Sequence, residues 1–295
     1  MISIFSHIKM NQPDSSAPIK RDNGYFEIRL SRWKRFVNYV YEGMLGDEYV
    51  WRGQRCEDWK LVTTLDRLIQ NGILSEREYY DFRNKHLDKF KFAARGRRGA
   101  NPPQIDCEND WWALGQHHGL ATPLLDWTQS PFVAAFFAFI ETGTPQTEHR
   151  AIFALHQSSI ECLSQEKCKG ENTRRRAARE EYKKENKPIG LLNLINNDAE
   201  PELIFIKPLS DENQRLITQN GLFTRSMTNK SIETWVSENT SEEEGMTLIK
   251  FLIPDTEREE CLRTLNRMNI NPLSLFPDLL GASKYCNLFS EIKNS

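Results

Sequence analysis

Residues 116–139, QHHGLATPLLDWTQSPFVAAFFAF, constrain the fold of this chain more than any other segment. The second half is apolar nearly all round, which predicts a buried central helix with Ser130 as N-cap and Pro131 at the first helical position. The first half places histidines, an aspartate, a tryptophan and hydroxyl groups directly ahead of that helix. Polar groups crowded beside apolar ones at a helix start are typical of a ligand site. The segment therefore predicts a site built beside a buried helix.

The rest of the chain mixes predicted helices and strands in irregular order. Apolar residues at helical spacing predict a helix from Trp33, and a capping box of Ser75 with Glu78 begins a long charged helix that reaches about Ala94. Strands are predicted over residues 47–54, 151–155, 203–207 and 247–253. This order favours an α+β fold over a regular βαβ series.

We divide the chain into a loosely ordered lead-in, residues 1–28, and one domain, residues 29–290. Residues 164–187 form a charged insertion with nine basic and five acidic residues. Its composition predicts a solvated helical excursion or a mobile insert, with a nucleic-acid-binding patch as the alternative.

Composition excludes some classes of protein. The net charge of −2 gives no global case for nucleic acid or membrane as a partner. No apolar run reaches the roughly 18 to 20 residues that span a bilayer, and the N-terminus lacks a secretory pattern, so a cytoplasmic protein with no membrane partner is expected. The six cysteines lack zinc-type spacing, so we expect no metal.

The first candidate site residues are Arg52, Gly53 and Gln54, at the end of a predicted strand. Arginine presents a planar fork to phosphate or carboxylate, and glycine allows the backbone to approach a ligand closely. The alternative is that Arg52 pairs with a buried acid and fixes the strand.

Further candidates lie in the opening segment. Adjacent histidines cannot both face one site; we favour a structural role for His117 and leave His118 open as a base or a ligand for a sugar hydroxyl. Trp127 is a candidate for stacking on a base or nicotinamide ring, and Thr128 or Ser130 for binding ribose or phosphate. The alternatives are that Trp127 fills the core and Ser130 caps the helix. Asp126 must be exposed, paired with a cation such as Arg52, or functional.

Arg215 and Gln219 lie four residues apart in a short predicted helix that Gly221 ends. They share one face, so they either address a ligand or cap neighbouring carbonyl groups. The nucleotide-binding motif G-x-G-x-x-G, the Walker loop, H-E-x-x-H and G-x-S-x-G are absent from the sequence. Common nucleotide hydrolases, zinc proteases and α/β-hydrolases are therefore disfavoured.

Together these segments resemble the FRG-domain family of bacterial proteins, named for an aromatic-Arg-Gly motif. The matching pieces are Trp51-Arg52-Gly53, Trp59-Lys60-Leu61, Leu65-Asp66-Arg67, residues 116–138, Arg215 with Gln219 to Thr224, and Leu275 to Leu279. The resemblance runs from about Trp33 to Tyr285. It extends to a distant similarity to ADP-ribosyltransferases that use NAD, which implies a largely antiparallel central sheet flanked by helices.

In that comparison Arg52 matches the first-strand position, and Trp127, Thr128 and Ser130 match the motif before the helix. Gln219 stands where those enzymes carry a glutamate, and a neutral amide stabilises a positively charged transition state far less. The resemblance implies that Asp126 replaces that carboxylate or that the fold binds a nucleotide without transferring it.

The leading hypothesis is an NAD-binding, ADP-ribosyltransferase-like toxin or anti-phage effector. In it, Arg52 holds the pyrophosphate or ribose, and Gln219 or Asp126 lies near the scissile bond. A nucleotide-type small molecule is the expected ligand, with a protein or nucleic acid as acceptor. The alternatives are a non-catalytic sensor of a nucleotide or phage component, and a nucleic-acid-binding effector that uses residues 89–98 and 174–184.

Overall fold

The computed structural model of the protein describes residues 17–46, 48–69, 75–141, 147–184, 198–208, 214–242 and 245–292. The strands in this part of the chain are β1 (Ile19–Asp22), β2 (Tyr25–Arg29), β3 (Tyr49–Gln54), β4 (Leu124–Thr128), β5 (His149–His156), β6 (Leu203–Ile206), β7 (Gly221–Ser226) and β8 (Leu248–Pro254). The helices are α1 (Trp33–Gly43), α2 (Thr64–Ile69), α3 (Glu76–Ala93), α4 (Glu108–His117), α5 (Pro131–Phe139), α6 (Gln157–Lys184), α7 (Gln214–Thr218), α8 (Ile232–Asn239), α9 (Arg258–Arg267), α10 (Pro272–Leu275) and α11 (Leu279–Glu291).

All eight of these strands belong to one sheet, in the order β1-β2-β8-β5-β3-β4-β7-β6. Neighbouring strands run antiparallel except β2 and β8, which are parallel. The α+β prediction with a largely antiparallel sheet is therefore confirmed. Both faces of the sheet are covered by helices. Strand β8 shows this, since Ile249 and Phe251 belong to the cluster of buried side chains on one face, and Leu248 and Leu252 to the cluster on the other.

Helix α5 is the central helix that the sequence predicts. Its apolar side chains are almost all buried, and Ser130 Oγ accepts a hydrogen bond from Val133 N at 3.3 Å as its N-cap. It lies directly on β3, where a Cβ atom at Gly53 would come within 1.9 Å of Ala134 O. Helix and strand backbones therefore touch at this glycine, and the pair forms a fixed support beside the cleft described below.

One sequence prediction about organisation needs correction. Residues 19–28 are not a loose lead-in: they form β1 and most of β2, and Ile28 is fully buried against the main core. Main-chain pairing with β8 orders this segment, and composition does not reveal such pairing. Residues 1–16 and Asp47 lie outside the described residues.

The charged segment 164–187 continues a helix that begins before it, α6, so its helical alternative is the one found as far as residue 184. Its first residue, Ser164, is buried and accepts a hydrogen bond from Leu203 N at 3.1 Å. Residues 185–187 are not among those described. No helix in the described ranges has both the length and the apolar character of a membrane span.

Candidate functional site

The sheet is nearly divided between its central neighbours β3 and β4. Strand β3 pairs with β5 at six positions, and β4 pairs with β7 at five. Between β3 and β4, in contrast, the described residues form a single pair, Trp51 with Thr128. The two strands part beyond that pair, so their facing edges do not satisfy one another there. We call this region the fork.

A cleft of about 680 Å³ opens at the fork. This volume lies within the range of roughly 300 to 1,000 Å³ that is usual for small-molecule sites. Eight of the ten predicted site residues line it, and they come from β3, β4 and the α7 region: Arg52, Gly53, Gln54, Asp126, Trp127, Thr128, Arg215 and Gln219. Residues as far apart in sequence as Arg52 and Gln219 are thus brought to one place, as the nucleotide hypothesis requires.

The cleft carries more positive than negative charge. Its lining includes four arginines, Arg52, Arg55, Arg67 and Arg215, against two carboxylates, Asp126 and Glu141. Aromatic surface accompanies this charge: the lining also contains Trp59, Phe137, Phe223 and Phe276. Guanidinium groups beside aromatic rings suit an anionic ligand that also has flat, apolar parts.

Arg52 spans the fork. Its Nη1 donates a hydrogen bond to Asp126 O at 2.7 Å and lies 3.6 Å from Asp126 Oδ2. Burial lowers the pKa of Arg52 from its ordinary value, and the Asp126 carboxylate opposes that shift. The Asp126 side chain is 61% exposed and the Arg52 side chain 21%, so the carboxylate is the more open to the cleft of the two.

Two polar atoms in the cleft wall lack partners. Arg52 Nε and Gln54 Oε1 are both buried without a hydrogen bond in the described part of the chain. The Gln54 amide nitrogen donates to Lys60 O at 3.5 Å, and the residue is only 7% exposed. Unsatisfied buried groups are uncommon in proteins because each costs free energy.

The opposite wall of the cleft is held by its own contacts. Arg215 forms an ion pair with Asp278, and its guanidinium carbon lies 5.6 Å from the centre of the Phe276 ring. The Gln219 side chain donates a hydrogen bond from Nε2 to Leu275 O at 3.2 Å. Arg215 and Gln219 do share one face, as predicted, and both use part of their hydrogen-bonding capacity on the α10 region.

For Trp127 and Thr128 the structure favours packing over ligand contact. Trp127 is 3% exposed, and its indole nitrogen donates to Thr224 Oγ1 at 2.9 Å inside the core. Adjacent residues of a strand point to opposite faces, so Trp127 points away from the face of Asp126. The Thr128 hydroxyl donates to Gln219 O at 2.7 Å and accepts from Ser130 N at 3.1 Å. Both side chains therefore stabilise the walls of the cleft.

The two predicted residues that do not line the cleft are His118 and Ser130. His118 is exposed at the C-terminal end of α4, whereas His117, for which we favoured a structural role, lines the cleft. The roles of the two histidines are thus the reverse of our expectation. Both lie at the end of α4, which directs His117 and not His118 to the cleft. Ser130 is occupied as the cap of α5.

Helix packing gives a further reason for the glycine at position 53. The residue lines the cleft, but its missing side chain is explained by the contact with α5, where a Cβ atom would also come within 2.6 Å of Ala138 N. Close backbone approach at this position thus serves helix packing.

The sequence reasoning missed several residues of the lining, notably Arg55, Arg67, Phe137 and Phe276. Arg67 and Phe276 lie in segments that carry the family resemblance, so that resemblance was the available signal. A second hollow, of about 600 Å³, adjoins the cleft and shares Arg67, Gln116 and Asp126 with it. Asp126 therefore lies where two hollows meet.

Comparisons with known proteins support part of the predicted resemblance. Searches of curated proteins and of solved structures returned no match for this chain. The chain matches the family model of the FRG domain over residues 47–147, the segment that holds β3, β4 and α5, and this match supports the predicted resemblance to that family over this segment.

Proposed function

We propose that the cleft binds NAD or a related nucleotide and that the protein is an ADP-ribosyltransferase-like toxin or anti-phage effector. The observation that carries this proposal is the lining of the cleft, in which four arginines and several aromatic rings surround two carboxylates. A dinucleotide offers the matching groups: a pyrophosphate for the guanidinium groups and flat rings for the aromatic surfaces.

Arg52 and Arg67 are the anion-binding groups in this proposal. Arg52 is fixed by its bond to Asp126 O, which leaves the free edge of its guanidinium to a phosphate or ribose oxygen. Arg67 is exposed and lies near enough to Arg52 to lower its pKa, so an anion between the two relieves their repulsion. Phe276 and Phe137 supply the stacking surface first expected of Trp127.

Asp126 is the catalytic carboxylate of the proposed reaction. The glycosidic bond between nicotinamide and ribose breaks, nicotinamide leaves with the bonding electron pair, and positive charge develops on the ribose. A carboxylate at the meeting point of two hollows can stabilise that charge from one hollow while an acceptor enters from the other. The neutral Gln219, already bonded to Leu275 O, is suited to positioning.

The test is incubation with NAD labelled in its adenylate half, with nicotinamide release and label transfer measured separately. We expect Asp126→Asn to lower turnover by about 100-fold or more, the usual loss when a group that stabilises transition-state charge is removed. Asp88→Asn, which changes an exposed carboxylate on α3 outside the cleft, is the matched control and should keep wild-type turnover. Expression that depletes cellular NAD with wild type but not with Asp126→Asn supports the effector role.

A non-catalytic sensor is the second candidate, favoured by the amide of Gln219 at the position where a carboxylate is expected. It predicts saturable binding of NAD by calorimetry without nicotinamide release, and loss of that binding in Arg52→Met. Wild-type protein that neither binds NAD nor cleaves it contradicts both versions.

A further inference from the structure

The end of helix α3 and the turn after it form a basic surface away from the cleft lining. Residues 89–98 contain five basic side chains and no acidic one. The same helix exposes two phenylalanines, Phe82 by 40% and Phe92 by 67%. Phe82 stacks with His86, their ring centres 6.0 Å apart, and both phenylalanines leave flat apolar surface exposed among charged side chains.

These side chains form one stripe. Phe82, Lys85, Lys89 and Phe92 are all exposed and follow one another at steps of three or four residues, so they lie along the same side of α3. The guanidinium carbon of Arg95 lies 3.6 Å from the centre of the Phe92 ring, which is a close cation–π contact. Charged and flat groups thus lie side by side along the helix and past its end.

Two arginines at the helix end are held in place by the backbone. Arg95 Nε donates to Phe92 O at 3.1 Å, and Arg97 Nε donates to Ala93 O at 3.0 Å. Both carbonyls belong to the last turn of α3, beyond its regular i to i+4 bonding, and Phe92 O also accepts from Arg95 N at 3.4 Å. Both side chains are exposed, and neither forms an ion pair within the described ranges. Their terminal nitrogens therefore face solvent, where they can donate hydrogen bonds to a phosphate.

The other basic segment of the chain lacks this property. In α6, Arg175 lies 2.9 Å from Glu171, and Arg176 and Arg179 lie 3.5 and 3.4 Å from Asp198. Its cations are thus largely neutralised by carboxylates of the same chain. The α3 region, in contrast, has arginines that form no ion pair with the described residues and can therefore bind an anionic partner.

We propose that these residues, the α3 platform (Phe82, Lys85, Lys89, Phe92, Arg95 and Arg97), bind single-stranded nucleic acid. The lysines and arginines follow the phosphates, and unpaired bases stack on Phe82 and on the Arg95–Phe92 pair. Every base has a flat face, so this surface selects for single strands and reads little sequence. The surface is separate from the NAD cleft and does not depend on its function.

The test is binding of a fluorescent single-stranded oligonucleotide of about 20 nucleotides to the full chain at several salt concentrations. Wild-type affinity should fall steeply with salt. Arg95→Ala with Arg97→Ala should reduce the slope of log K against log salt by about 1.4, since each phosphate contact on a single strand contributes roughly 0.7. Phe92→Ser should weaken binding about tenfold or more at every salt concentration, because one stacked base is lost.

The matched control is Arg174→Ala with Arg176→Ala, which removes the same charge from exposed positions of α6. It should leave affinity within about twofold of wild type. Equal losses from the α3 and α6 variants would reduce the effect to net charge and overturn the proposal. So would binding that is flat in salt, equal affinity for duplex, or binding to phosphatidylserine vesicles but not to the oligonucleotide.

Discussion

The two borders of strand β3 differ in kind. On one side, β3 pairs with β5 along its whole length, and its Gly53 touches the backbone of α5. On the other side, one pair with β4 is followed by the fork, where Arg52 bonds to a main-chain carbonyl and two buried polar atoms have no partner in the described chain. The first border is closed by packing, and the second is left open.

This difference shows how one short strand serves both stability and binding. A continuous ladder satisfies every backbone group and leaves no room for a ligand. Where the ladder stops, a cleft opens that four arginine side chains line, and these are the groups that the proposed nucleotide would contact. Substitutions at the closed border should therefore affect stability, and those at the fork should affect ligand binding more.

The largest effect is expected for Gly53→Ala. The new methyl group would come within 1.9 Å of Ala134 O and 2.6 Å of Ala138 N, and neither backbone atom can move without shifting α5. We expect a loss of about 3 kcal/mol or more in the free energy of unfolding, measured with urea. Gly46→Ala is the control, since nothing lies within 4 Å of its added methyl group. Equal stability of the two variants would show that α5 is not fixed against β3.

Arg52→Met should have a smaller effect on stability and a large one on binding. It removes the hydrogen bond to Asp126 O, which should cost about 2 kcal/mol in urea unfolding. Arg55→Met removes another cleft arginine, whose guanidinium carbon lies 5.5 Å from the centre of the Trp59 ring and which forms no ion pair with the described residues. Both variants should weaken NAD binding in calorimetry, but only Arg52→Met should lower stability. If the stability losses match, the fork is not bridged by Arg52.

Thr128→Val tests whether the hydroxyl at the single β3–β4 pair is structural. Its two hydrogen bonds, to Gln219 O and from Ser130 N, would be lost, so we expect about 1 kcal/mol lower stability and NAD affinity within about twofold of wild type. Thr128→Ser keeps both bonds and should behave as wild type. A stable Thr128→Val variant with tenfold weaker binding would make Thr128 a ligand contact after all.

The smallest effect concerns His117 and pH. Burial, then the nearby His118 and Arg215, lower the pKa of His117 below its ordinary 6.5. The folded protein thus takes up this proton less readily than the unfolded chain. The stability contributed by neutral His117 is therefore fully present above pH 6.5 and is lost as the pH falls from there through the lower pKa of the folded state.

His117→Gln should reduce the difference in unfolding free energy between pH 7.5 and 5.5 by about a few tenths of a kcal/mol. Interactions between exposed charges are usually of this size. His118→Gln removes one of the causes that lower the pKa of His117, so it should produce a smaller reduction in the same direction. An unchanged pH dependence in His117→Gln would show that solvent already screens this site.

Local sequence patterns predicted the support of the site better than its surface. Pro131 after a capping serine, followed by an apolar run, was sufficient to place α5, and the Ser75–Glu78 capping box placed the start of α3. Both depend on neighbours within a few residues. Asp126 and Trp127 are adjacent in sequence, yet only the tertiary fold determines which one faces the cleft.

The residues missed by sequence reasoning are those that distant segments supply. Arg67 comes from α2 and Phe276 from the C-terminal part of the chain, and neither has a local pattern that indicates a ligand. Strands β1 and β2 were missed for a related reason: main-chain bonds to their neighbours define them, and β1 is exposed along its length.

The single pair at the fork makes the described sheet two blocks, five strands on one side and three on the other. Helix α5 begins three residues after the end of β4, in the smaller block, and then lies on β3 in the larger one. Its position thus sets the angle between the blocks and, with it, the width of the cleft. A repacking of the buried face of α5 would consequently change ligand selectivity without altering any residue that the ligand touches.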